Sequence, residues 1–203
     1  MARPATPILS RRRIAAAALE LIDQGGIQGL TMRRLAERLG VQNPSLYNHV
    51  ASRDDLLDEV TAIINEQIDV DALQEPDWRA GLAAFARSYR RAFSRHPDVV
   101  ATIMRRPVNT DIALRAYDRI FERLLGAGWD PPVAGSIVAA VDYLVLGSAI
   151  ETFAAGFDRP PEAYAPDYPH LARALGGSDR DSLDDQGFEL GLQALLDSLQ
   201  PPR

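Results

Sequence analysis

Between residues 31 and 53 the chain gathers side chains suited to the edges and backbone of a nucleic acid: Thr31, Arg33, Gln42, Asn43, Ser45, Tyr47, His49 and Arg53. Asn and Gln can hold adenine through paired hydrogen bonds, and Ser can bond several base edges. Gln42, Asn43 and Ser45, clustered around Pro44, therefore form a candidate base-reading set. Arg33 suits guanine or a phosphate. Thr31 adds a hydroxyl to the free N–H groups of a helix start, which attract phosphate. Tyr47, His49 and Arg53 suit backbone contacts, which fix register without carrying sequence information; Asn48 belongs to the same candidate set. Singly, each residue has an ordinary explanation: Thr31 and Asn43 as helix caps, Tyr47 as core, His49 as a surface histidine. Their conjunction is what points to a nucleic acid.

The elements that must position these residues are helical. Ile14, Ala18, Leu21 and Ile22 repeat at helical spacing, with Ser10 as N-cap and Gly25-Gly26 as the stop. Met32, Leu35, Ala36 and Leu39 repeat likewise between Thr31 as N-cap and Gly40 as C′ residue. A very short third helix starts at Asn43-Pro44, Asn capping and Pro in the first position, and ends near His49-Val50. Helices two and three, joined by Gly40-Val41-Gln42, have the proportions of a helix-turn-helix. Ser52-Arg-Asp-Asp55 opens a fourth helix with Leu56, Leu57, Val60, Ile63 and Ile64 inward.

Further helices are predicted from Pro76-Asp77 to His96-Pro97, near 98–104, at about 110–125 with Leu114, Tyr117, Phe121 and Leu124 inward, from Pro131 to about Gly156, and over about 182–199. Residues 157–169, with Pro160, Pro161, Pro166 and Pro169, read as a loop. No strand-like alternation of useful length occurs, so an all-α fold is expected. It comprises a flexible arm at 1–9, a helix-turn-helix domain at 10–55 and a larger helical domain at 56–203.

Charge is distributed unevenly. The chain carries −6 overall, yet residues 1–53 hold eight arginines against three acids, a local charge of +5 that leaves −11 for the rest. Such asymmetry marks a basic binding head on an acidic body. There is no cysteine, the opening Met1-Ala-Arg-Pro-Ala-Thr-Pro lacks the apolar stretch of a secretory signal, and no apolar run reaches the ~20 residues of a membrane span. A cytoplasmic protein without membrane attachment is expected. An enzyme is disfavoured by the lack of a Gly-rich phosphate loop, a metal-binding helix motif or a nucleophile setting; no catalytic residue, metal or cofactor is expected.

Arg12-Arg-Ile-Ala-Ala-Ala-Ala-Leu-Glu-Leu-Ile-Asp23, Gly29-Leu-Thr-Met-Arg-Arg-Leu-Ala-Glu-Arg-Leu-Gly-Val41 and Pro44-Ser-Leu-Tyr-Asn-His-Val50 together resemble the DNA-binding domain of the tetracycline-repressor (TetR) family. The resemblance implies a homodimer on a palindromic double-stranded operator, usually a repressor released by a small molecule. It also implies that Arg33, Gln42, Asn43, Pro44 and Ser45 face bases while Thr31, Tyr47, His49 and Arg53 hold phosphates. An activator of the same fold, or a helical protein-interaction adaptor, are the alternatives.

The body resembles the tetracycline-repressor subgroup more weakly, through Trp78 with Ser88-Tyr-Arg90, Arg95-His-Pro97, Arg106-Pro107, Leu146-Gly147 with Glu151, and Gly187-Phe-Glu-Leu-Gly-Leu192. That subgroup holds a drug–Mg²⁺ complex partly through histidines. Here Thr102-Ile103 stand where a metal-binding histidine would fall, and neither substitutes for an imidazole. Tetracycline–Mg²⁺ is therefore not expected as effector. Phe85, Tyr89, Ile103, Met104, Tyr117, Phe121, Tyr143 and Phe153 are candidate lining for an apolar pocket, although such stripes also build cores. Asp142 and Glu151 interrupt an apolar helix and need partners: arginines, a dimer mate or a ligand. The helices at about 132–156 and 182–199 are richer in apolar residues than one packed face needs, and Gly147, Ser148 and Ala149 permit close approach. A four-helix dimer interface is expected there.

Overall fold

Three of the first four helices begin where a side chain satisfies a backbone N–H that the helix leaves free. In the computed structural model, which describes residues 9–104, 106–150, 152–177, 179 and 182–201, Ser10 accepts from the Arg13 N–H at 3.3 Å and opens α1 (Arg11–Gly29). Thr31 does the same with the Arg34 N–H at 3.2 Å for α2 (Met32–Leu39), and Ser52 with the Asp55 N–H at 3.0 Å for α4 (Arg53–Asn65). Between α2 and α4 lies α3, only Asn43–Tyr47. The expected arm at 1–9 falls, Leu9 excepted, outside the described residues, as does Glu151.

All described regular structure is helical. The chain divides into two compact units: Met1–Ile68 with Asp98–Ala116, and Asp69–Pro97 with Tyr117–Arg203. The first unit extends past the boundary expected at residue 55 because α4 completes its core. Leu56, Leu57, Val60 and Ile64 are buried on α4, which packs on α1, where Ile14, Ala15, Ala18 and Ile22 are fully buried. It also takes in most of α6 (Pro97–Ile103). Just beyond α6, Arg106 donates to Asp58 Oδ1 at 2.8 Å and to the Asp54 carbonyl at 2.9 Å, and pairs with the Asp54 carboxylate. These partners raise the guanidinium pKa further above its ordinary value, chiefly through the Asp58 bond, against the opposing effect of burial.

In the second unit α5 (Trp78–Ser94) is the central helix, capped by Asp77, with Leu82, Phe85, Ala86, Tyr89 and Phe93 buried. It packs on α8 (Pro131–Ala149) and on a 3₁₀ turn at Asp71–Gln74; α11 (Leu183–Ser198) packs on α8 and α5. α7 (Asp111–Gly126) buries Ile120 and Leu124, while Leu114, expected inward, is exposed.

Three expectations need correction. The predicted helix to Gly156 is two: α8 ends at Ala149 and a separate short α9 (Thr152–Ala155) follows. After α9 the chain folds over itself, with the Phe153 and Phe157 rings 5.4 Å apart and Phe157 6.3 Å from Tyr164. The proline-rich stretch is likewise not all loop. Pro161–Tyr164 forms a 3₁₀ turn, and Pro169 opens α10 (Pro169–Gly176), because proline in a first helical position already has a helical φ and no N–H to waste. Finally, α8, at 19 residues and mean hydropathy 1.5, is long and apolar enough for a membrane span, contrary to the sequence reading. Here it is a packing helix, buried along Ala134, Ile137, Val138, Val141, Val145 and Ala149.

Candidate nucleic-acid interface

The turn between α2 and α3 depends on Gly40, whose φ of 69° suits a residue without Cβ. Its N–H returns to the Glu37 carbonyl (3.2 Å) and that of Val41 to Ala36 (3.0 Å), closing the end of α2. Leu46 anchors α3 from below, fully buried, and Val50 seals its exit. The short helix is thus a rigid mount despite its length.

On its outer side, Gln42, Asn43, Pro44, Tyr47 and Asn48 are exposed, while Ser45 and His49 are half-buried. Tyr47 is 54 % exposed, too open for the core role that its type allows. The capping residue is Gln42, not Asn43, and it makes no side-chain cap bond; Asn43 and Pro44 are the first two helical residues. Asn43 stands inside the helix and not ahead of it, and its amide has no intrachain partner among the described residues.

The arginines are more committed than their number suggests. Arg11 bonds Glu59 Oε1 (2.8 Å), Asp55 and the His49 carbonyl; Arg12 pairs with Glu66 and Arg38 with Glu20. Asp55 is held below the usual carboxylate range, first by the Ala51 N–H and then by Arg11. Arg34 donates to the Gly29 carbonyl (3.0 Å) and Arg53 to the Ile27 carbonyl (3.0 Å), tying down the turn after the Gly25-Gly26 break in α1. Among the described residues Arg33 meets only Glu37, at 3.0 Å on the same helix, with both side chains largely in solvent. Counting on from residue 53 to Ile68 adds five acids and no base, so residues 1–68 carry no net charge. The basic head is therefore a local face and not a charged unit; α4 supplies the counter-charge.

In the second unit the candidate pocket residues do not form one lining. Tyr89 is buried between Phe85 (centroids 5.9 Å) and Phe93 (5.2 Å). Tyr117 Oη donates to Asp142 Oδ2 at 2.6 Å. Burial pushes all three groups above their ordinary pKa, with the Tyr117 bond partly opposing this at Asp142. Phe121 is half-buried nearby in sequence on α7, whereas Ile103 and the exposed Met104 belong to the first unit. Tyr143 (77 % exposed) and Phe153 (59 %) sit elsewhere, on a groove of about 610 Å³ between α8 and α11 that Gly147, Gly187 and Leu190 also line. The sequence names Arg90 only within the resemblance and gives it no role. Buried under the same groove, it donates to Ser148 Oγ (3.1 Å), pairs with Asp185 and lies 5.1 Å from the Phe188 ring. Thr102 and Ile103 do not fit a metal: Thr102 Oγ1 donates to the Asp98 carbonyl (3.0 Å) and the Ile103 side chain has no donor atom. Among the described residues no group of three or more histidines and acids is placed for a cation.

Comparison with known proteins places both units. Residues 14–60 match the family described as bacterial regulatory proteins, tetR family, and residues 72–201 match the tetracyclin repressor-like C-terminal domain. An HTH-type transcriptional regulator of Saccharopolyspora erythraea is 34% identical over 142 residues, 70% of this chain and 60% of that protein. The tetracycline repressor protein class A from transposon 1721 of Escherichia coli is 30% identical over 96% of this chain and 92% of its own. Among solved structures, the Streptomyces coelicolor TetR family protein ActR in complex with actinorhodin superposes with a TM-score of 0.73 at 27% identity, covering 94% of this chain and 98% of that one. The chain belongs to the TetR family of DNA-binding transcriptional regulators.

Proposed function

We propose that the protein is a cytoplasmic repressor that binds a palindromic operator as a homodimer and releases it when a small molecule occupies the body. The observation that carries the DNA contact is the outer side of α3: Gln42, Asn43 and Tyr47 exposed, without intrachain partners among the described residues, on a helix fixed by Leu46. A helix with polar residues at its N-terminal end enters the major groove and meets base edges there. Gln42, Asn43, Pro44 and Ser45 are the base-facing set, joined by Arg33, whose exposed pairing with Glu37 is weak enough for DNA to replace. Tyr47, Asn48 and His49, with the Thr31 hydroxyl, take the flanking phosphates. Arg53 joins them with the part of its guanidinium not engaged by Ile27.

Dimerisation through α8 and α11 is supported by the apolar groove at Tyr143, Phe153 and Leu190. Two-fold symmetry sets two α3 helices on successive major-groove faces roughly 34 Å apart, hence an inverted-repeat operator. Effector binding in the body is supported by the ligand complex of the similar ActR. The Thr102-Ile103 pair and the lack of a metal-binding group among the described residues argue against a drug–Mg²⁺ effector here.

A pool of duplex fragments selected on the protein, followed by a salt titration of the best binder, tests the DNA reading. Affinity that is absent or indifferent to salt would refute it. Within the set, Arg33→Ala and Asn43→Ala are each expected to relax base preference and cost ~1–3 kcal/mol on the best site if they make bidentate contacts. Tyr47→Phe is expected to weaken all sequences about equally. Identical behaviour of all three across matched and scrambled duplexes would show the division into base and phosphate contacts to be wrong.

A further inference from the structure

Asp142 is the only acid on α8, a helix otherwise made of apolar and small residues. Its neighbour Tyr143 lies in solvent, while Asp142 turns into the unit and meets α7 through Tyr117. That single hydroxyl is its hydrogen-bond partner among the described residues, and no arginine or histidine there comes within ion-pair reach. The contrast with the other enclosed carboxylates is direct: Asp55 and Asp58 each have an arginine. A carboxylate taken from water without a cation is costly. Beside it stand Tyr117 and the Tyr89 ring, itself packed on Phe85 and Phe93. Aromatic side chains beside a carboxylate are surroundings that suit an organic cation.

We propose that Asp142 anchors the cationic group of the effector, so that the molecule sensed is a protonated amine on an apolar or aromatic frame. This rests on the effector reading above and specifies it. A metal ion fits poorly, since one carboxylate and two phenols fall short of the six or more oxygens a hard cation collects. A purely structural Tyr117–Asp142 pair explains the hydrogen bond but not the missing counter-charge, because an apolar pair of similar volume would pack there at no loss.

Burial of Asp142 also carries an expected pH dependence. Burial raises the folded pKa of Asp142, so folding is penalised as pH rises above the unfolded value of an aspartate and the acid ionises. Tyr89 and Tyr117, the other titratable groups facing it, are shifted upward and stay neutral at physiological pH. Asp142→Asn keeps an acceptor for Tyr117 and is expected to raise the melting temperature at neutral pH without ligand.

Calorimetric titration of the full chain with 4-phenylbutylamine, 4-phenylbutanol and 4-phenylbutyrate tests the ligand class on one carbon frame. The amine is expected to bind about tenfold or more tighter than the alcohol, the gain of a charge-assisted bond, with the acid weakest. In Asp142→Asn the amine should fall to the level of the alcohol. Equal or tighter binding of the alcohol or the acid, no binding of the amine, or an amine preference that survives in Asp142→Asn each overturns the proposal. Retention of the selected duplex by the wild-type protein, measured in parallel, separates the two readings. DNA retention with no amine preference defeats only the ligand class. Amine preference without DNA retention supports the ligand class and defeats the repressor reading.

Discussion

Leu46→Ala is expected to cost roughly 2–5 kcal/mol of stability and to remove affinity for every DNA sequence alike. Leu46 is fully buried, the one buried residue of the five in α3. A helix of that length has no stability of its own in water, because nucleation is unfavourable and so few bonds follow it. Its form depends on the buried leucine and on the backbone bonds that the Leu46 carbonyl accepts from His49 (2.9 Å) and Val50 (3.0 Å). Truncating it leaves a void beneath Gln42, Asn43 and Tyr47 and frees all three from their common mount. Urea denaturation beside gel-shift titration checks this. Asn43→Ala, three residues away on the exposed side, serves as the contrast: it should alter base preference with an unchanged denaturation midpoint. If Leu46→Ala denatures at the wild-type midpoint, α3 is held by something other than this side chain.

The head was readable from sequence to an unusual degree because its signals are local. Ser10, Thr31 and Ser52 cap the helices whose starts they mark, and Gly40 has the left-handed backbone its position demands. These are contacts within three or four residues, so spacing alone encodes them. Gln42 replaces Asn43 as cap by a shift of one residue, which is the usual resolution of such signals.

What escaped were consequences of distance in sequence. The +5 charge of residues 1–53 is offset because α4 packs on α1: Arg11 meets acids 44 and 48 residues on, and Arg12 one 54 residues on. Arg90 gave no sign of burial because its partners Ser148 and Asp185 lie 58 and 95 residues away. An acid in an apolar helix needs a partner, yet only the fold identifies Tyr117 as the group that meets Asp142. The eight candidate pocket residues came from helical stripes. A stripe records that a face is apolar and not what covers it, which is why Tyr89 became core while Tyr143 and Phe153 opened on a surface groove.

That groove yields the second large effect: Leu190→Asp is expected to convert a dimer to a monomer and to lower affinity for a full operator by about 10²–10⁴-fold. Leu190 is 75 % exposed on α11 and lines the α8–α11 groove with Tyr143. In a single chain the aspartate therefore stands in water and costs the fold little, whereas Phe188 and Leu192 on the same helix are buried and would unfold the unit if truncated. In a two-fold interface the substitution acts twice. Each new carboxylate is desolvated against an apolar surface, and the symmetry operation that brings α11 to its mate brings like charges toward one another. A monomer still presents one intact α3, so binding to an isolated half-site should be preserved while the gain from linking two half-sites is lost. Sedimentation or light scattering at micromolar concentration, combined with titrations of half-site and full-site duplexes, reads both effects. A variant that remains a dimer and keeps full-site affinity would move the interface away from this groove; one that loses half-site binding too would show that the substitution damaged the fold and not the assembly.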